Sequence, residues 1–313
     1  MKRFLPAFRD RFGEAALYEL HALACAVLEI SPVELHGNPE GVLSSEQIEK
    51  LNAAAQKRLA GWPLSRIVGW VWFCDSKIFV NEHVLVPRHE TEWWLTEYIA
   101  DCRLQITEYE SNHRDVVTTI NPQSAIRSPQ LFLDLGTGSG TIAIALAKNF
   151  PDAQVYAIDI SEAALQVARD NARVNGVLDG ITFLQGDLLT PLSLGRGVGG
   201  EGILVDRLKR EDLIIFANLP YIPSDVIPTL DIEVAAHDPL LALDGGSDGL
   251  DLLRRFFAEA EFLPAGTCAV LEVGINQVEQ LRHETFWQQA WQWLRVFTDL
   301  GGIERAVEFT RLY

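Results

Sequence analysis

The feature that most limits what this chain can fold into is an alternation that begins at Gln130. Short apolar runs at Leu131–Leu135, Val155–Ile158, Ile181–Leu184, Leu213–Ala217 and Cys268–Val273 are separated by longer stretches of mixed polarity. Runs this short, apolar at nearly every position, suit strands buried on both faces rather than helices. The intervening stretches are long enough for covering helices: Gly140 to about Asn149, a segment from Ser161 as N-cap through about Asn175, and one starting near Leu250. Strands alternating with helices at this spacing predict an α/β domain, a doubly wound and mostly parallel sheet of Rossmann-like type. Such sheets bind ligands at the carboxyl ends of their strands.

Those strand ends carry polar residues. After the first comes Asp134-Leu135-Gly136-Thr137-Gly138-Ser139-Gly140, whose glycines permit a sharp turn and a close approach of backbone to ligand at a helix start. The spacing is G-x-G-x-G and not the G-x-G-x-x-G of dinucleotide sites, and a plain tight turn also accommodates it. Asp159 ends the second strand, where an acid commonly accepts hydrogen bonds from ribose hydroxyls. Gly186-Asp187 ends the third, where a carboxylate can receive an exocyclic amine. Each acid alone can cap the helix that follows. Together, Asp134, Gly136, Thr137, Gly138, Ser139, Gly140, Asp159 and Asp187, with Leu188 and Asn218 beside them, are the candidate cofactor-binding set.

Before the alternation, residues 1–62 read as a small helical domain. Ala15, Leu17, Leu20, Leu23, Ala24, Val27 and Leu28 recur at helical spacing, and Ser44-Ser45 can cap a second helix through about Ala60. Residues 63–90 read as a β-rich connector and 91–313 as the catalytic domain, with a long helix from about Thr91. Two polar or glycine-rich stretches, 107–128 and 193–202, read as loop insertions. The formal net charge of −17, without a basic cluster, leans away from a nucleic-acid partner and toward a protein or small-molecule substrate. Cys25, Cys74, Cys102 and Cys268 show no metal-ligand spacing, nor do the histidines, so no metal is expected. No apolar stretch has bilayer length, and a cytoplasmic monomer away from membranes is expected. Trp70 and Trp72 mark a candidate partner surface, and Glu272 at a strand end is either a site-wall residue or ordinary strand-end polarity.

The fourth strand ends in Asn218-Leu219-Pro220-Tyr221. With FLDLGTGSG upstream, this resembles the N-P-P-Y signature of methyltransferases acting on planar nitrogens. The wider chain, from RIVGWVWFCDSKIFVNEHVLVPRHETE through NLPYIP to EVAAHDPLLALDGGSDGLDLLRR, is similar to the PrmC/HemK family of release-factor glutamine methyltransferases. The resemblance implies a class I methyltransferase domain behind a helical N-terminal domain that docks substrate. It implies S-adenosylmethionine as cofactor, peptide chain release factors as partners and the glutamine of their Gly-Gly-Gln loop as acceptor, methylated at its side-chain amide N5.

An amide nitrogen is a poor nucleophile because its lone pair is delocalised. A site can help by accepting both N–H protons and aligning the nitrogen. Asn218 through its side-chain oxygen and Leu219 through its backbone carbonyl suit that task, with Pro220 holding the backbone extended and Tyr221 packing on the planar group. Leu219 stands where the family has proline, and His89 where its PRPET segment has proline. In that segment Arg88, Glu90 and Thr91 are candidates for the site wall or, alternatively, for capping the helix that starts there. Two other functions use the same residues: a nucleic-acid methyltransferase acting on an exocyclic base amine, and a non-catalytic cofactor-binding protein. The acidic charge and the DGGSDGL stretch weigh against the first; Leu219 and the two insertions motivate the second.

Overall fold

The computed structural model describes residues 3–37, 42–112, 131–193 and 212–313. The chain divides into two compact units, Met1–Trp70 with Leu230–Asp238, and Val71–Thr229 with Pro239–Tyr313.

The first unit is helical: α1 (Leu5–Phe12), α2 (Ala16–Leu28), α3 (Pro32–Gly37), α4 (Ser45–Leu59) and α5 (Leu64–Val68), with a short turn at Ile232–Ala235. Phe8, Ala16, Leu20, Leu23, Ala54 and Ala55 form its core. Ser44 caps α4 in a reciprocal box, accepting from the Gln47 N–H while the Gln47 side chain accepts from Ser44 N–H. The buried Arg58 is paired with Glu19 and Glu233. The β-rich reading of 63–90 is replaced at Leu64–Val68 by α5, a single turn that Pro63 begins and Gly69, at φ +81°, ends.

The second unit opens with a hairpin, β1 (Trp70–Phe73) and β2 (Ser76–Phe79), joined by Cys74 and Asp75 at φ +43° and +58°. Both turn residues lie in the left-handed region, as a two-residue hairpin turn matched to strand twist requires. The long helix α6 (His89–Asn112) follows. Part of the stretch read as a loop, 107–112, therefore belongs to this helix; the rest of it, from 113, lies outside the described residues, as does the second insertion from 194 onward.

The sheet then builds from β3 (Leu131–Leu135), α7 (Thr141–Asn149), β4 (Gln154–Asp159), α8 (Glu162–Val174), β5 (Ile181–Gln185), β6 (Leu213–Ala217), α9 (Asp251–Glu259), β7 (Cys268–Glu272), α10 (Gln277–His283), β8 (Trp291–Thr298) and β9 (Glu304–Arg311). Its order is β5-β4-β3-β6-β7-β9-β8. The first five strands in this order run parallel, whereas β9 is antiparallel to both β7 and β8.

Alternation along each strand sends side chains to opposite faces. Phe132, Ile214, Phe216 and Val270 join a core with Trp94 and Tyr98 of α6 and Ile144 of α7. Leu131, Leu133, Leu135, Ile215 and Leu271 join the other, with Leu253 and Phe256 of α9 and Val278 and Leu281 of α10. Both faces are covered, which explains why β3 and β6 are apolar at almost every position. Phe216 is fully buried, with ring centroids of Trp94, Tyr98 and Phe132 at 6.2, 5.1 and 5.9 Å. Phe216→Ala is expected to lower the unfolding free energy of this unit by about 3–5 kcal/mol; a denaturation curve shifted by less than about 1 kcal/mol would contradict this packing.

Candidate functional site

Strand β3 is flanked by β4 on one side and β6 on the other, and the chain leaves it in one direction and returns in the other. A crevice opens where strand order reverses. Here it is a cavity of about 340 Å³, lined by Arg88, Thr91, residues 136–139, Asp159, Asp187, Leu188 and residues 218–220. Apart from Arg88 and Thr91 at the start of α6, these candidates come from separate strand ends, and the topology brings them together.

The glycine loop follows β3. Gly136, Gly138 and Gly140 stand at φ +68°, +55° and +85°, which disfavours a side chain at all three. At Gly140 a Cβ would also lie 3.0 Å from that of Ala168, so this glycine lets α7 and α8 approach closely. Gly140 does not line the cavity; its part is the packing beneath it. Asn171 of α8, fully buried, donates from Nδ2 to the carbonyls of Ser139 and Phe79 at 2.9 Å and accepts from the Phe79 N–H. It ties the loop to the β1–β2 hairpin. Nothing in its sequence setting on a helix marks it for this.

Asp134 also lies beneath the cavity and not on its wall. Its Oδ2 accepts from the Thr137 hydroxyl at 2.6 Å and the Ala143 N–H at 3.0 Å, so it braces the loop from below. Its Oδ1 is buried and has no hydrogen-bond partner among the described residues. Burial lifts the Asp134 carboxyl to about 7, opposed by the bonds from Thr137 and Ala143.

Asp159, at the end of β4, does line the cavity. Its Oδ2 accepts from the Gly138 N–H at 2.9 Å and its Oδ1 from the Ser161 N–H at 2.8 Å. Burial raises its pKa against these bonds. Two backbone donors hold the carboxylate rigidly, and a carboxylate has further lone pairs to offer a ligand. The helix cap of α8 is Ser161 itself, so Asp159 is not the capping residue. Asp187 is half-buried and paired through Oδ2 with Arg255 at 2.8 Å. Leu188 sits at φ +49°, and a Cβ on Gly186 would fall 1.8 Å from Pro191, so this turn requires its glycine.

At the end of β6, Asn218 is half-buried and donates from Nδ2 to the Thr91 hydroxyl at 3.0 Å. The Thr91 hydroxyl donates to Glu272 Oε2 at 2.7 Å, and the Trp94 indole N–H donates to the same oxygen at 2.8 Å. Tyr221 donates to Glu272 Oε1 at 3.4 Å. Thr91 is therefore neither a bare wall residue nor a helix cap: its side chain leaves α6 for the end of β7. Glu272 is buried, and burial lifts its carboxyl to about 7 against the bonds from Thr91 and Trp94. Burial and the neighbouring Glu272 likewise raise the Tyr221 phenol.

Leu219 is buried in the second core, and a Cβ on Gly136 would come 3.3 Å from its Cδ2. Its side chain thus wedges the β6 end against the glycine loop. Tyr221 does not line the cavity. Nor does Glu90, whose carboxylate points to Arg305 at 3.4 Å. The stretch 243–249 grips the backbone after Asn218. Ile222 N–H bonds to the Leu243 carbonyl, and Gly245 N–H to that of Ile222. A Cβ at Gly245 would lie 2.8 Å from the Pro220 carbonyl oxygen, and one at Gly249 2.2 Å from that of Tyr221. Gln277 Nε2 donates to the same Tyr221 carbonyl. Glu272, read from the sequence as a site-wall residue or ordinary strand-end polarity, belongs to this support and not to the wall, and the members that reading motifs missed are Trp94, Asn171 and Gln277. Only Glu272 carried a signal, an acid closing an otherwise apolar strand.

Among the described residues no helix is long and apolar enough to cross a membrane, and no group of three or more His, Cys, Asp or Glu could hold a metal ion.

Comparison with known proteins gives the same outline. A family model described as a PrmC N-terminal domain matches residues 6–69, and one described as a methyltransferase domain matches residues 127–195. The chain is 32% identical over 291 residues to the release factor glutamine methyltransferase of Thermodesulfovibrio yellowstonii, covering 92% of this chain and 90% of that one. It is 34% identical over 267 residues to that of Geobacter sulfurreducens, covering 85% and 80%. Among solved structures, the catalytic domain of hMettl16 in complex with a MAT2A 3'UTR hairpin matches with a TM-score of 0.50 at 12% identity, covering 86% of this chain and 83% of that one. At that identity the likeness concerns the fold alone.

The buried acids have a consequence for stability. Glu272 moves from 4.5 to about 7 and Asp134 from 3.8 to about 7. Between those limits the native state keeps protons that the unfolded chain has released. Stability is therefore expected to fall as pH rises through about 4 to 7 and to level off above. Glu272→Gln removes its share, on the order of 3 kcal/mol, so denaturation at pH 5 and pH 8 should show a shallower loss in the variant. Equal losses in the two proteins would contradict the burial assigned to Glu272.

Proposed function

The chain belongs to the release factor glutamine methyltransferase family, and on that premise we propose that it transfers a methyl group from S-adenosylmethionine to the side-chain amide N5 of the glutamine in the Gly-Gly-Gln loop of peptide chain release factors. The observation that carries this reading is one cavity with two chemically different ends: an acid held by backbone donors at Asp159, and a carboxamide at Asn218.

The cavity suits the cofactor. Glycines at positive φ leave backbone exposed along one wall, and Asp159 offers a rigid acceptor to a pair of ribose hydroxyls. Charge-assisted bonds of that kind contribute roughly 1.5–3 kcal/mol each. Asp187 keeps an oxygen beyond the one that Arg255 occupies, which suits an exocyclic amine. Leu188 supplies apolar surface beside it. The cofactor, when bound, supplies an electrophilic methyl group on a sulfonium sulfur.

At the other end, the side-chain oxygen of Asn218 accepts one proton of the substrate amide and the backbone carbonyl of Leu219 the other. Two acceptors fix the plane of the amide and turn its nitrogen toward the cofactor end. They also stabilise the positive charge that grows on nitrogen as its bond to carbon forms and the carbon–sulfur bond breaks. One of the two amide protons then leaves to solvent, so that the product nitrogen is neutral. Acceptors already in place need no reorganisation when the reaction occurs, which is where alignment and fixed dipoles lower a barrier. Tyr221 acts from behind this wall through its bond to Glu272, and Leu219 wedges the acceptor end against the glycine loop. The acidic net charge attracts a basic protein partner. A cytoplasmic setting and a monomeric state go with this reading.

The test is transfer of labelled methyl from S-adenosylmethionine to purified release factor, beside the same factor with its loop glutamine replaced and beside RNA and DNA. Label on the unaltered factor alone is expected. Label on nucleic acid and not on the factor would replace this reading with a base-amine methyltransferase. Asn218→Ala is expected to lower the transfer rate roughly 10²–10³-fold with the fold intact by circular dichroism; a near-normal rate would remove Asn218 from the reaction.

A further inference from the structure

Glu272 does not line the cavity, yet it is the hub of the polar groups behind Asn218. A buried carboxyl at the end of an apolar strand costs stability unless its oxygens are satisfied. Here Oε2 receives two donors, the Thr91 hydroxyl at 2.7 Å and the Trp94 indole N–H at 2.8 Å. An indole N–H can only donate. Oε2 is thus an acceptor whichever protonation state the carboxyl takes, because a proton on the group belongs on Oε1, beside Tyr221.

The consequence passes through Thr91. A hydroxyl has one proton, and that of Thr91 is committed to Glu272. Toward Asn218, 3.0 Å away, Thr91 can then only accept. It accepts from Nδ2, which sends Oδ1 to the other branch of the carboxamide. Without Glu272 the hydroxyl could donate instead, and a half-turn of the Asn218 amide would satisfy it equally well. That turn would place an N–H donor where the substrate nitrogen also presents N–H.

We propose that Glu272 is a positioning residue: acting through Thr91, it fixes which end of the Asn218 amide meets the substrate. This deepens the functional reading given above and rests on it. Trp94 acts beside it, since its indole admits only an acceptor at Oε2. The same polarity should survive in Glu272→Gln. There the carbonyl oxygen of glutamine takes the place of Oε2, forced by Trp94, and its Nε2 faces the Tyr221 hydroxyl, which can accept. Glu272→Leu keeps the volume and abolishes the polarity.

The experiment measures methyl transfer to release factor by the full chain, with kcat and KM separated and S-adenosylhomocysteine affinity measured by calorimetry. Glu272→Leu is expected to lose roughly 10²-fold in kcat, while its affinity for S-adenosylhomocysteine stays within about twofold of wild type. Glu272→Gln is expected to restore most of kcat. Those two results together are not what a merely structural role would give, because a loosened fold would weaken the cofactor end as well. Should the leucine variant fail to fold, Thr91→Val carries the test: kcat falls at least about tenfold, and Thr91→Ser restores it. A folded Leu or Val variant with wild-type kcat would overturn the positioning role while leaving the functional reading in place. Glutamine and leucine variants equally impaired would also overturn it, since charge and not amide polarity would then be what matters. A wild-type protein that transfers nothing to release factor would overturn the inference together with the reading beneath it.

Discussion

Parallel pairing of β3 with β4 on one side and β6 on the other is the constraint from which the rest of this structure follows. Leu131–Leu135 matches residue for residue with Gln154–Ile158 and with Leu213–Ala217. That register brings Gly136, Asp159 and Asn218 to one level, each directly following the last residue (Leu135, Ile158, Ala217) of these two ladders. It also requires crossover connections that cover both faces, and the two cores that result hold the strand ends still. A site assembled from different strand ends is only as accurate as that register, because a slip of one residue would turn every side chain over.

The strand ends themselves depend on a layer of residues that never reach the cavity. Asp134 braces the glycine loop through Thr137 and Ala143, and Asn171 pins the same loop to the hairpin. On the other side, residues 243–249 and Gln277 hold the backbone that leaves Asn218, with glycines wherever a side chain would strike a carbonyl. In DGGSDG, Gly245 and Gly249 are thus explained by packing against Pro220 and Tyr221, and Gly246 by the Asp251 carboxylate, whose Oδ2 a Cβ would meet at 1.9 Å. Leu219 lines the cavity and takes part in the same bracing. Its side chain fills space against Gly136, so the backbone carbonyl that the proposed chemistry needs is held by apolar packing and by the restraint of Pro220.

Much of this was legible from residue order because burial on two faces and sharp turns both leave local marks. The five parallel strands show as apolar runs, the capped helices show as Ser44 and Ser161, and Asp159 and Asn218 show as polar residues closing apolar runs. What was not legible is non-local. The insertion of β9 between β7 and β8 depends on pairings over long separations, and neither β8 nor β9 stands out in the sequence. The helix α5 is one turn set by Pro63 and Gly69 among β-branched neighbours. Tyr221, Glu90, Gly140 and Asp134 sit in motifs whose other members line the cavity, yet their side chains or backbone face elsewhere, which only the path of the chain decides. Trp94 and Thr91 lie one helical turn apart on α6, but their shared acceptor Glu272 is far along the chain.

The central claim is that a single cavity has a cofactor end built on Asp159 and an acceptor end built on Asn218. Calorimetric titration of S-adenosylhomocysteine into the wild-type protein, Asp159→Ala and Asn218→Ala tests it most directly. Loss of the carboxylate is expected to weaken binding roughly tenfold to a hundredfold, while loss of the carboxamide leaves affinity within about threefold. Unchanged affinity in Asp159→Ala, or no binding to the wild-type protein at all, would contradict the account.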